Sequence, residues 1–359
     1  VRPFQRGNAA KVAMAAVVVL SLAACASNEA SGSEQGSKET ASTPAGQPDV
    51  NGDGKVVIGI LSPGDINDGG YFQSFVDGAE TFSKPKGWTV IARGNVSTAD
   101  ALSAARALCA QKVDMIALGA GSLADAIPAS EEPACKNTVW YVPAQGNIAQ
   151  TPRILLSEDS VNQNLLAAGY AAGLLMQDKQ LNQAGFVGGL DVEFERRAAA
   201  AFKSGVRSVL PDANVLTSFA GDQNDSAKAK EATQAQLRQG AKVIYPYLGG
   251  STDAAARLAN QAGALTLTPG TNRCASTDPT FDISVIFDPG SYLTAALAQF
   301  ADGKLEIGTK KTWKMGVDAV PTVKFCNGTD EQNQKLDQFI QDIGSGKINA
   351  DDEVKRLGS

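Results

Sequence analysis

Residues 56–78 read VVIGILSPGDINDGGYFQSFVDG, and the fold class follows from how this stretch divides. Val56, Val57, Ile58, Ile60 and Leu61 form the short apolar run of a strand buried on both faces. A turn rich in glycine and aspartate follows, with Asp65, Asn67 and Asp68 as residue types that cap a helix start. Phe72, Phe75, Val76, Ala79 and Phe82 then recur at helical spacing. Free backbone N–H groups at such a helix start can meet a ligand's acceptors, and in open α/β sheets small molecules bind at the mouth these loops form. An ordinary strand–turn–helix with a packed helix fits the same residues equally well.

Downstream, strands and helices keep alternating, which implies mostly parallel sheets with helices on both faces. Helix 98–111 leads to strand 113–118 and loop 119–122, a helix and strand 138–142 follow, and strand 153–157 enters the alanine-rich helix 161–177. A second series follows: strand 184–189, helix 193–209, strand 215–219, helix 226–238, strand 242–247, helix 252–261 and strand 265–268. Two similar halves predict two Rossmann-like lobes. The last third crosses back, with strand 283–287, helix 290–300, a strand near 313–317, strand 323–326 and helix 330–343. The expected lobes are 55–157 plus about 288–312, and 158–287 plus about 313–359, hinged around a cleft.

Upstream of residue 55 the composition changes character. Arg2, Arg6 and Lys11 precede the apolar run 12–24, too short to span a bilayer, and the run ends in LAAC at Cys25. This describes a secretory signal over 1–24 of the lipoprotein type, with lipidation of Cys25. Residues 25–54 are Ser-, Gly-, Glu- and Thr-rich and read as a disordered tether. DVNGDG at 49–54 imitates a calcium loop, but its twelfth position is Ile60, so no metal is expected.

Of 359 residues, 43% are hydrophobic and 36 are glycine, which fits an α/β protein with a sizeable core. Without Arg2, Arg6 and Lys11 the formal charge of −6 becomes about −9, with no basic stripe for nucleic acid. Besides Cys25 there are Cys109, Cys135, Cys274 and Cys326. Neighbourhood favours two disulfides, Cys109–Cys135 and Cys274–Cys326, with buried free thiols the alternative.

The chain has no histidine, which removes Ser-His-Asp and Cys-His nucleophiles, a His base and His metal sites. No GxSxG, P-loop or GxGxxG follows a strand. A carboxylate-only surface enzyme using acids such as Asp68, Asp191, Asp222 and Asp253 stays as a lesser alternative, with solvated caps the more economical reading of each. No catalytic residue and no cofactor are expected. What remains is a set of loops with aromatic and polar groups: Asp68, Tyr71 and Phe72; Gly119 to Ser122, including Gly121; Gly188, Gly189, Asp191 and Phe194; Tyr247, Gly249 and Gly250; Gly270, Thr271 and Asn272. An aromatic from each half closing on a flat ring, with Asp or Asn reading its edge, is an arrangement that binds a nucleobase. Core packing of Tyr71, Phe72 and Phe194 is the competing reading.

The lipobox, GDINDGGYFQSFVDG (64–78), LLAAGYAAGLL (165–175), VGGLDVEF (187–194) with FKSGV (202–206), FAGDQNDSAKAKEAT (219–233) and QGAKVIYPYLGG (239–250) together resemble the basic membrane protein (BMP) family of ABC-transporter substrate-binding lipoproteins, which includes purine nucleoside receptors. The resemblance spans about 56–347. It implies a type I periplasmic-binding-protein fold, a purine-like ligand, an ABC permease as partner and a monomer anchored by lipid on the outer face of the membrane. Tyr71 falls where the family has a stacking aromatic. Asn272 stands where the nucleoside receptors have an acid for ribose hydroxyls, and Phe287 where they have a lysine, which favours a base, a modified nucleoside or another flat heterocycle. The implied ligand set is Asp68, Tyr71, Phe72, Gly121, Ser122, Phe194, Gly249, Asn272 and Phe287, with a sugar or polyol receptor of the same fold as the alternative.

Overall fold

A computed structural model describes residues 48–143 and 148–358. The signal segment, Cys25 and the tether as far as residue 47 lie outside the described residues. The tether's expected last residues, 48–54, are folded. Asp49 accepts from the backbone N–H groups of Asp53 and Gly54, and the Asn51 amide donates to Lys112 O at 2.8 Å and Asp114 Oδ1 at 3.3 Å. A buried carboxylate, Asp114, receives this turn and also accepts from Val57 N at 2.8 Å, which pins the start of the first strand.

In chain order the elements are β1 (Val57–Leu61), α1 (Tyr71–Ser83), β2 (Thr89–Arg93), α2 (Ala101–Cys109), β3 (Met115–Leu118), β4 (Val139–Pro143), β5 (Ile154–Asp159), α3 (Val161–Asp178), β6 (Gln183–Gly188), α4 (Glu193–Val209) and β7 (Asn214–Phe219). There follow α5 (Ser226–Arg238), β8 (Val243–Tyr247), α6 (Thr252–Gln261), β9 (Leu265–Gly270), β10 (Ile283–Ile286), α7 (Pro289–Ala301), β11 (Lys310–Trp313), β12 (Thr322–Phe325), α8 (Asp330–Gly344) and α9 (Ala350–Leu357). One sheet runs β11-β5-β4-β3-β1-β2, all parallel; the other runs β12-β10-β9-β8-β6-β7, parallel except for the antiparallel pair β10–β12. Both therefore reverse direction of growth at the same place, between β1 and β3 and between β6 and β8, which opens a crevice at the carboxyl ends of those strands.

Helices cover both faces of each sheet because the strands are apolar on both. On the first, α2 covers one face and α1 with α7 the other; on the second, α3, α4 and α8 cover one face and α5 with α6 the other. Close helix contacts rest on glycine. A Cβ on Gly169 would lie 2.0 Å from Phe202 O across the α3–α4 contact, and one on Gly290 would lie 2.2 Å from Ser74 O across α1–α7.

Three departures from the sequence expectations have local causes. The helix expected after loop 119–122 is a 3₁₀ segment, Gly121–Glu131, which begins inside that loop and carries Pro128. The strand expected near 313–317 is β11 at 310–313; residues 314–318 form a turn in which Asp318 Oδ2 accepts from Lys314 N at 2.8 Å. Strand β2 and the charged helix α9 were not anticipated. The chain passes between the two sheets after β5, after β10 and after β11. Cys109 is bonded to Cys135 and Cys274 to Cys326.

Candidate functional site

Strand ends from both sheets converge on two adjoining cavities. The outer one, about 380 Å³, has one wall from the β1–α1 turn (Pro63, Asp68, Tyr71, Phe72) and the other from the second sheet (Tyr247, Gly249, Phe287). The inner one, about 360 Å³, reaches down to Ser157 and Asp159 at the end of β5 and to Tyr292 on α7. Tyr71, Phe194, Tyr247 and Phe287 line both. These four rings form a chain across the opening: Tyr71 to Phe287 at 6.5 Å, Phe287 to Tyr247 at 6.2 Å, and Tyr247 to Phe194 at 6.3 Å between centroids. Such spacings are in the range of offset and tilted aromatic pairs. Phe194 is 39% exposed, so its ring presents a face to the opening rather than to a core.

The turn after β1 is held by its own acids. Asp68 Oδ1 accepts from Gly70 N at 2.8 Å and Gln73 N at 3.0 Å, which ties up the start of α1 and sets Tyr71 as its first residue. Asp68 lines the outer cavity as a capping residue whose acceptors are largely engaged. Phe72 nests over Gly64, where a Cβ would sit 2.4 Å from its ring, and meets Tyr71 edge-on at 5.3 Å. Ser122 lines the outer cavity, whereas Gly121 is buried beside it and lines neither.

On the second sheet, Gly249 lines the outer cavity, but its N–H donates to Gln223 O at 3.1 Å, and the Gly250 N–H donates to Asn224 Oδ1 at 2.8 Å. A side chain at 249 would press on Asn224, which explains the glycine. Asn272 lines neither cavity. It is exposed, and its Oδ1 turns back to accept from Cys274 N at 3.2 Å. Its neighbour Arg273 lines the outer cavity, clamped by two hydrogen bonds to Asp253. The remaining acids of the carboxylate-enzyme alternative are also engaged: Asp191 pairs with Arg196 at 2.7 Å, and Asp222 accepts from Asn224 N and Asp225 N.

Sequence reasoning did not single out Asp159, Glu195, Tyr292 or Trp313. Asp159 Oδ2 accepts from Asn164 Nδ2 at 2.8 Å and the Tyr292 hydroxyl at 3.1 Å. Burial pushes this carboxyl up from its ordinary range, against the pull of those two donors. Tyr292 stacks on Trp313 at 4.8 Å, and burial together with the Asp159 charge raises its phenol. Glu195, buried on α4, accepts from Leu190 N at 3.0 Å and Gln223 Nε2 at 2.6 Å, and burial raises its carboxyl as well. It ties the two glycine-rich loops of the second half together. The pair of acids, Glu158 and Asp159, just beyond the predicted end of strand 153–157 was the available signal for Asp159.

A family model described as ABC transporter substrate-binding protein PnrA-like (Bmp) matches residues 55–354. The chain is 27% identical over 248 residues to the ABC transporter nucleoside-binding protein BmpA of Lactococcus lactis subsp. cremoris (strain MG1363), a match covering 67% of this chain and 63% of that protein. The aligned part thus spans less than two thirds of that relative's length. Solute-binding proteins of ABC transporter systems superimpose on most of the chain. The one from Aeropyrum pernix K1 has a TM-score of 0.71 at 15% identity, covering 84% of this chain and 98% of that one. That from Conexibacter woesei DSM 14684 has a TM-score of 0.68 at 19% identity, covering 82% and 98%. These likenesses establish the type I periplasmic-binding-protein fold.

Proposed function

This chain belongs to the Bmp family of PnrA-like ABC transporter substrate-binding proteins, and on that premise we propose that it is the extracytoplasmic receptor of an ABC importer, closing two lobes on a flat heterocycle such as a purine base or nucleoside. One observation carries the reading: rings offered from both sheets, Tyr71 from one and Phe287, Tyr247 and Phe194 from the other, line one continuous opening. A planar solute inserted there contacts both walls at once, so its binding energy favours the closed arrangement. The proposed lobes are 55–157 with about 288–312, and 158–287 with about 313–359; the pairing of β11 with β5 favours a last crossing just beyond Trp313.

In this reading Tyr71 and Phe194 stack on the ring, Phe72, Phe287 and Tyr247 shape its pocket, and Ser122 and Asp68 meet its polar edge. Gly121, Gly249 and Asn272 act at one remove, by shaping loops. The nucleoside-binding relative supports the ligand class. Among the described residues no helix is long and apolar enough to cross a membrane. In this reading the lipid expected at Cys25 holds the chain at the membrane, and as a monomer it hands the solute to the permease.

Calorimetric titration of the protein with adenine, guanine, adenosine, guanosine and inosine tests the reading. At least one is expected to bind, and Tyr71→Ala to weaken it on the scale of one lost stacking contact, about 1–3 kcal/mol. If none binds at millimolar concentration while a sugar such as D-allose or D-arabinose does, the polyol alternative replaces it.

A further inference from the structure

The inner cavity has a one-sided hydrogen-bond inventory. On its deep wall the Tyr292 hydroxyl and the Asn164 amide donate to Asp159 Oδ2, while the Tyr141 hydroxyl, at 2.8 Å, and the Trp313 indole, at 2.9 Å, donate to Ser157 Oγ. Among the described residues, the Tyr292, Tyr141 and Trp313 donors and one N–H of the Asn164 amide are thus used within the wall. Acceptors are left over. Asp159 Oδ1 receives no hydrogen bond from any other residue among those described. Asn164 Oδ1 is also without a partner, on a side chain only 3% exposed.

The charges point the same way. Glu158, Asp159 and Asp351 line this cavity, and Glu158 is paired with Lys310 at 2.6 Å while Asp351 accepts from Asn162 at 2.5 Å. The cation that faces them is Arg197, on the exposed side of α4. Around Asp159 the other walls are rings: Tyr71, Tyr141, Tyr292 and Phe287. A half-buried carboxylate whose side-chain partners are neutral donors on one oxygen is poorly compensated.

We infer that the inner cavity takes the ammonium group of a solute whose flat ring lies in the outer cavity. This rests on the reading of the cleft as a solute site and specifies the solute further. An ammonium brings donors, no acceptors and a positive charge, which match Asp159 Oδ1, Asn164 Oδ1 and the surrounding ring faces. A ribose or sugar hydroxyl brings lone pairs for which the deep wall has few donors. A phosphate brings only acceptors and a charge of the wrong sign.

The test is titration of the full chain with two matched pairs, 5′-amino-5′-deoxyadenosine against adenosine and tryptamine against tryptophol, near pH 7. Each amine is expected to bind more tightly than its hydroxyl twin, on the order of tenfold or more for a desolvated cation among rings. In Asp159→Asn, shown to be folded by circular dichroism, that preference is expected to collapse. Equal binding of amine and hydroxyl in the unaltered protein overturns the inference and leaves the receptor reading standing, as does a preference that survives Asp159→Asn. If none of the four binds, tetramethylammonium probes the cavity alone, its binding upholding the cation assignment and its failure overturning it.

Discussion

Replacing Gly290 by alanine tests how the ring chain is held in register. Gly290 lies in the first turn of α7, three residues after Phe287, and its backbone presses on α1 next to Ser74, three residues after Tyr71. A Cβ there would sit 2.2 Å from Ser74 O and 2.8 Å from Ser74 Oγ. Carbon and carbonyl oxygen approach comfortably only to about 3.3 Å, so α1 and α7 must part by roughly 1 Å. Overpacking of this kind costs about 1–3 kcal/mol. Alanine's better helix propensity returns at most about 1 kcal/mol, and less in a first turn. A net loss of about 1–2 kcal/mol in unfolding free energy is expected, read by urea denaturation. Since the displacement separates Tyr71 from Phe287, affinity for the bound heterocycle should fall too, by about 0.5–1.5 kcal/mol of aromatic contact. Gly78→Ala, whose Cβ would meet Gly290 O at 2.8 Å, should cost less. An unfolding free energy within about 0.5 kcal/mol of the parent for Gly290→Ala, or the reverse ranking of the two variants, refutes the reasoning.

Asp114 should leave a signature in the pH dependence of stability. Burial pushes its carboxyl up to about 6 despite the Val57 N–H, so the folded state holds this proton more tightly than the unfolded chain. Its contribution is greatest below pH 4 and is lost as pH rises to about 6; Asp114→Asn should flatten that part of a urea-midpoint series from pH 4 to 7, and an unchanged decline would exclude Asp114 as its source. The disulfides close loops of 26 and 52 residues, for which chain entropy predicts about 3.5 and 4 kcal/mol; paired Cys→Ser variants that each lose less than about 1 kcal/mol would contradict that account.

Much of the architecture was legible because both sheets are covered on both faces, so β1, β3 and β8 read as short, largely apolar runs. β11 was misplaced for the opposite reason. Lys310, Lys311, Thr312 and Trp313 form a half-exposed edge strand with two charges, and only its pairing with β5 defines it. Tyr71 and Phe194 stood out in the sequence as rings beside strand ends, where the topology opens the crevice, whereas Phe287 entered only through the family resemblance. Asn272 and Gly121 were picked by position alone, and nothing local reveals that the Asn272 amide folds back on its own loop. Asp159 and Tyr292 are 133 positions apart and meet only because α7 returns to the first sheet after the excursion through the second; on its own helix Tyr292 looks like a core residue.

That return also gives the molecule its own optical reporter. Of three indoles, Trp140 is sealed in a core and Trp88 is packed among Phe82 and Phe300, whereas Trp313 lies flat on Tyr292 and bonds to Ser157, beside Asp159. A guest reaching the bottom of the cleft alters the surroundings of that one indole against the constant emission of the other two, so occupancy can be followed by fluorescence, without a label.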